Sequence, residues 1–175
     1  FTENGESASA AIVLTQLMRL SQITGGFVTS DDDHAHLQIG SEKLNALEEV
    51  LDELIDAEEK VVVFARFRWE IDRIEDLCAR NHWRAYKYYG PVKGERVNYP
   101  RQFMIYRGPA VFIAQTATGS LSIDLSAAAY GVFYSFDYSL INWIQCHDRL
   151  HRFGQLRKVI YRYLIADHTI DGEVW

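Results

Sequence analysis

The chain has 175 residues, 48% of them hydrophobic, and a formal net charge of −6 at pH 7. That length fits one domain, and that apolar content supports a packed core and excludes wholesale disorder. No apolar run reaches the length of a membrane span and no secretory signal is visible, so an intracellular protein with no membrane partner is expected, cytoplasmic if bacterial or phage. Net acidity excludes a binder that holds nucleic acid by bulk charge alone, though not one that grips a backbone locally.

The acids gather early, at Asp31 to Asp33 and from Glu48 to Glu59. The bases gather later, at Arg84, Lys87, Lys93, Arg96, Arg101 and Arg107, then at Arg149, Arg152, Arg157, Lys158 and Arg162. This asymmetry predicts one acidic outer face and one basic working face. Cys78 and Cys146 form no metal or redox motif and read as reduced thiols.

In chain order, residues 8–23 place Leu14, Leu17, Met18 and Leu20 at helical spacing until Gly25 and Gly26 break it. Ser30 to Gly40 is polar and reads as a loop. Ser41 opens a second helix, with Leu44, Leu47, Leu51, Leu54 and Ile55 on one face. The expected division is therefore an N-terminal helix and polar connector over 1–40 and a lobe over 41–175. Beyond the second helix, short apolar runs alternate with helices. Val61 to Phe64, Ala85 to Tyr89, Ala110 to Ala114, Gly131 to Phe136 and Lys158 to Ile165 are the strands. Residues 67–80 form a helix, another stretch follows Gly94 and must be interrupted or restarted at Pro100, and Ser139 to Arg152 is the last. The alternation predicts an α/β domain of three layers with a mostly parallel sheet. Ligands in such sheets bind beyond the carboxyl ends of the strands, which directs attention to the loops after Phe64, Tyr89, Ala114 and Phe136.

On the last helix, at about 100° per residue, Gln145, Arg149 and Arg152 fall within roughly 60° of one another. Leu140, Trp143, Ile144 and Leu150 are expected on the opposite side, in the core. Arginine suits phosphate because its charge is permanent and its fork matches phosphate oxygens. Spacing alone equally permits an ordinary solvated basic face.

The segment QCHDRLHRFGQ, Gln145 to Gln155, resembles motif six of the Swi/Snf-like ATPases of helicase superfamily two, Q-x-x-x-R-x-H-R-x-G-Q. Other stretches resemble that family in the same order. Gly40-Ser41-x-Lys43-Leu44-x-x-Leu47 is similar to its S-x-K-L-x-x-L stretch, and Val61 to Arg66 to motif four. Tyr88 to Phe103 is similar to the segment that carries D-G, then R and F, with Tyr89-Gly90, Arg96 and Phe103 in those places. Gln115 to Leu125 is similar to motif five at Thr116, Gly119, Ile123 and Leu125. Ser120 and Ser122 stand where that motif has glycines, and Asp124 where it has asparagine. Tyr161 to Asp171 is similar to the strand and turn after motif six.

The resemblance implies a RecA-like lobe, of the phosphate-loop NTPase type, that is the second of two in a motor. It implies that Arg152 is an arginine finger and Arg149 its partner, both reaching the phosphates of ATP with Mg2+. Gln145, Gly119, Asp124 and Gln155 would support that site, with His151 and Gln155 organising the loop. Thr116, Arg66, Lys93 and Arg96 would contact a nucleic-acid backbone, duplex DNA first. The chain contains no G-x-x-x-x-G-K-[ST] phosphate cradle. ATP would therefore be held mainly by a first lobe, and this lobe alone is expected to be inactive. Ser30 to His34, SDDDH, reads as a solvated loop, and no metal site is expected at His147 and His151. The compact lobe resembles bacterial or phage versions of the family. A strand-separating DNA or RNA helicase, or a non-catalytic docking module, are the alternatives.

Overall fold

A computed structural model describes residues 2–30, 35–90, 93–117 and 123–174. Helix α1 (Thr2–Thr24) leads to a small antiparallel pair, β1 (Phe27–Thr29) and β2 (His36–Gln38). The main body follows as α2 (Glu42–Asp56), β3 (Lys60–Ala65), α3 (Arg68–Arg80) and β4 (Ala85–Tyr88). A 3-10 turn (Gly94–Asn98) then runs into α4 (Tyr99–Ile105) and β5 (Ala110–Gln115). β6 (Tyr130–Phe133), α5 (Leu140–Leu150), β7 (Ile160–Tyr163) and α6 (Ile170–Val174) complete the chain.

The large sheet has the order β4-β5-β3-β6-β7, and every pairing in it is parallel. Central β3 is buried on both faces, as its unbroken Val61-Val62-Val63-Phe64 run requires. Its side chains alternate between two cores. Val61, Val63 and Ala65 join the leucines of α2 and Ile71, Ile74 and Leu77 of α3. Val62 and Phe64 join Phe103 of α4, Phe112 of β5, and Cys146 and Leu150 of α5. The result is the three-layer α/β architecture that the alternation of strands and helices predicts. Pro100 sits in the first turn of α4, where its missing N–H costs nothing, so it restarts the helix.

Three expectations need correction. The stretch from Ser30 to Gly40 is not all loop, because His36–Gln38 pairs with Phe27–Thr29. A three-residue strand is too short to display a period of two. Second, α5 ends at Leu150 rather than Arg152. Third, Leu140, Trp143 and Ile144 are exposed, Leu140 to 69%, while Cys146, Arg149 and Leu150 are the buried residues of α5. Burial of apolar side chains is a one-way tendency, and here the helix rests on the sheet along a narrow edge three and four residues apart.

The expected division of charge into two faces is also modified. Arg162 makes a two-bond ion pair with Glu53, and Arg157 another with Glu59. Lys87 is held by Asp72 and Glu75. Three members of the basic set are thus neutralised locally.

Candidate functional site

The loops beyond the carboxyl ends of β3, β4, β5 and β6 lie along one edge of the sheet. Three contacts fasten the loop after β5 to α5. Cys146 donates its thiol to the carbonyl of Thr116 at 3.8 Å. Leu125 donates its backbone N–H to the carbonyl of Arg149 at 3.1 Å. Gln155 donates to the carbonyls of Ser126 and Ala128 at 2.8 and 3.0 Å, and its own carbonyl accepts the N–H of Arg157 at 3.0 Å. Gln155 is a staple between the end of motif six and the approach to β6.

Arg149 is 8% exposed, yet no carboxylate pairs with it among the described residues, and its Nε has no hydrogen-bond partner. Burial first, and then the charge of Arg152, pull its guanidinium below the ordinary value. Thr116 on the adjoining segment is 4% exposed, and its hydroxyl is likewise unpartnered. The Nε of a permanent cation and a hydroxyl are therefore both buried without a partner among the described residues.

Arg152 lies past the end of α5, in the turn after its cap residue His151. The helical projection therefore does not fix its direction. Its Nε donates to the carbonyl of Asp148 at 3.2 Å, which folds the side chain back on the helix. Gln145 is half-buried on α5. Asp124 is exposed, and its carboxylate accepts the N–H of Ser126 at 3.0 Å, closing a turn. Gly119, Ser120 and Ser122 lie outside the described residues, as does Asp31 to His34.

His147 is fully occupied by its neighbours. Nδ1 donates to the carbonyl of Trp143 and Nε2 accepts from the Tyr163 hydroxyl, both at 2.7 Å. Its ring stacks on Phe133 at 5.0 Å, and burial pushes its pKa down, so it is a neutral packing residue.

The other candidates, Arg66, Lys93 and Arg96, lie on the loops after β3 and β4. Arg66 reaches Ser21 of α1 at 3.4 Å and lies over the rings of Phe67 and Tyr138. Arg96 donates to the carbonyl of Tyr89 at 3.5 Å and lies over its ring, and Lys93 is exposed. The Gln115 side chain joins these loops, accepting from the N–H of Gly90 at 3.3 Å and donating to the carbonyl of Arg66 at 3.1 Å. Gly90 has φ +57°, a conformation that suits glycine.

Two buried features escaped the sequence reading. Lys43 of α2 and Asp171 of α6 form an ion pair at 2.5 Å, and Asp171 also accepts from Thr24 of α1 at 3.2 Å. Glu70, 1% exposed in the first turn of α3, accepts from the Phe67 N–H at 3.0 Å and from the Ser135 hydroxyl. Burial raises its carboxyl to about 7, against the opposing pull of those hydrogen bonds and of Lys43. Lys43 as the lone cation within an apolar repeat was the available signal. Nothing local marks Glu70.

Residues 42–154 match the family model described as the helicase conserved C-terminal domain. The chain is 32% identical over 148 residues to "Helicase SWR1" of Yarrowia lipolytica, covering 81% of this chain and 8% of that protein. It is 31% identical over 136 residues to a mouse SWI/SNF-related, matrix-associated, actin-dependent regulator of chromatin, subfamily A, containing DEAD/H box 1, covering 77% and 13%. The crystal structure of the C-terminal part of the Fun30 ATPase domain shares the fold, with a TM-score of 0.70 at 24% identity over 81% of this chain and 47% of that one. The chain thus spans a small part of the length of its curated relatives. It belongs to the helicase conserved C-terminal domain family, in its Swi/Snf-like form.

Proposed function

We propose that this chain is the second motor lobe of a DNA-dependent ATPase that moves along duplex DNA. The observation that carries the reading is the burial of Arg149 without an ion-pair partner among the described residues. An unpaired buried cation is costly, and it persists where an anion arrives to meet it. Here that anion is the polyphosphate of ATP.

Bound ATP with Mg2+ supplies a phosphoryl group for transfer to water, and a first lobe supplies the cradle that this sequence lacks. Arg149 approaches the phosphates from α5 without having to give up an ion pair to any described residue of its own lobe. Arg152 leaves the Asp148 carbonyl and swings to the same charge, so its contact forms as the cleft closes. A finger of this kind contributes about 10³–10⁵ in rate. Gln145 presents its amide beside Arg149, Gly119 and Asp124 support the same site, and Gln155 holds the approach to β6 against the end of α5. The Leu125–Arg149 contact ties the phosphate-facing arginine to the segment that begins at Thr116. Thr116, Arg66, Lys93 and Arg96 hold the DNA backbone, so closure around ATP shifts the grip on DNA. Residues 1–40 connect the lobes, and 41–175 form this one.

The test joins this lobe to its cradle-bearing partner in the full-length protein. ATP should drive displacement of a triplex-forming strand without separating the duplex, while the isolated lobe turns over no ATP with or without DNA. Efficient strand separation would favour the helicase alternative. Turnover by the isolated lobe would overturn the composite site.

A further inference from the structure

Tyr89, just beyond β4, is surrounded by three cations. Arg96 lies 5.2 Å from its ring centroid, Arg68 5.6 Å and Lys87 5.7 Å. Lys87 is neutralised, since Asp72 and Glu75 of α3 both hold it. Arg68 and Arg96 have no ion-pair partner among the described residues. The acids of α3 that could reach this ring are thus engaged elsewhere, and two guanidinium groups remain on one phenol.

The backbone makes room for them. At Gly90 an added Cβ would lie 3.2 Å from Nη2 of Arg68. The loop is held by the Gln115 side chain, which bonds the Gly90 N–H and the Arg66 carbonyl. Arg68 is exposed at the first residue of α3, at the carboxyl edge of the sheet. Stacking on an aromatic face holds a guanidinium by its plane while leaving its N–H edge free to donate. Arg96 is further fixed by its bond to the Tyr89 carbonyl, and an ordered guanidinium loses less side-chain entropy on meeting an anion than a mobile one.

The geometry points to Arg68, held against Tyr89 beside Arg96, as a further backbone-phosphate contact, with Tyr89 as the positioning residue for both arginines. This rests on the nucleic-acid reading proposed above and adds to it a residue that the motif resemblance did not mark. The ligand is the phosphodiester backbone, read without regard to base.

The test is the salt dependence of duplex DNA binding by the full-length protein, followed by fluorescence anisotropy from low to moderate salt. Each phosphate contact adds about 0.9 to the slope of log K against log salt. Arg68→Ala should lower the slope by about that amount, and Arg68→Gln, which keeps most of the stem, should do the same. Arg80→Ala, at the far end of the same helix, should leave it unchanged. Tyr89→Leu keeps both charges, so it should weaken binding severalfold while the slope changes little. If Arg96→Ala lowers the slope and neither Arg68 variant does, this inference fails and the nucleic-acid reading stands. If Arg96, Lys93 and Arg68 variants all leave the slope unchanged, both fail. An equal loss of slope in Arg80→Ala would also overturn the inference, because it would show bulk charge rather than a contact.

Discussion

The backbone N–H of Leu125 meets the carbonyl of Arg149 at 3.1 Å, joining the loop after β5 to the last turn of α5. Because this bond uses only main-chain atoms, the Arg149 side chain can be removed without breaking it. The join between the two segments and the chemistry of the arginine can therefore be tested separately.

Lys43 and Asp171 tie α2 to α6 through a buried ion pair that also engages Thr24. Removing one partner strands the other. Asp171→Ala should lower stability by about 3–5 kcal/mol, while Lys43→Met combined with Asp171→Leu should recover much of the loss. Urea denaturation of the single and double variants checks this. Equal losses in all of them would show that the pair acts only through packing.

Glu70 makes stability depend on pH. Its folded carboxyl is raised from 4.5 to about 7, so the native state holds a proton that the unfolded chain releases. Its contribution is fully present below about pH 4.5 and is lost as pH rises through about 7, with an amplitude on the order of 3 kcal/mol. Glu70→Gln should flatten the urea midpoint between pH 5 and 8. A wild-type midpoint that rises across that window in step with Glu70 would contradict the assignment.

Gln155 holds four main-chain groups at once, the carbonyls of Ser126, Ala128 and Leu150 and the N–H of Arg157. Gln155→Ala should cost about 1–3 kcal/mol, because the Ser126 and Ala128 carbonyls lose their donor. Hydrogen exchange at the Arg157 amide should accelerate, since its acceptor is gone. Unchanged exchange there would show that the staple does not order the loop.

Much of this fold is legible in the residues. The runs at Val61 to Phe64 and Ala110 to Ala114 are too apolar and too short for anything but buried strands, and they take the two central positions that pair in register. The spacing of Leu44, Leu47, Leu51 and Leu54 marks the buried face of α2. The hairpin of β1 and β2 was hidden by its brevity. On α5 the periodicity named the right helix but the wrong inner face, because Leu140 and Ile144 look like core residues and Arg149 does not. Which stripe of a helix is buried depends on where the sheet lies. Glu70 was invisible for a similar reason: its partner Ser135 is 65 residues away, and the Gly25 turn that packs against its carboxylate is also distant in sequence. The candidate arginines and Gln155 were named from motif resemblance. What the fold adds is that Arg149 is buried and unpaired, Arg152 is turned back, and Gln155 holds the loop.

The most direct test is made on one variant, Arg149→Ala, read in two ways. In the full-length protein at saturating ATP and DNA, turnover should fall by about 10³ or more. In the same protein the urea midpoint should stay unchanged or rise, because a buried cation without a counter-charge has been removed. An unfolding free energy that falls by several kcal/mol, or turnover that survives, would contradict the account: the first would make Arg149 a structural residue, the second would remove it from the ATP site.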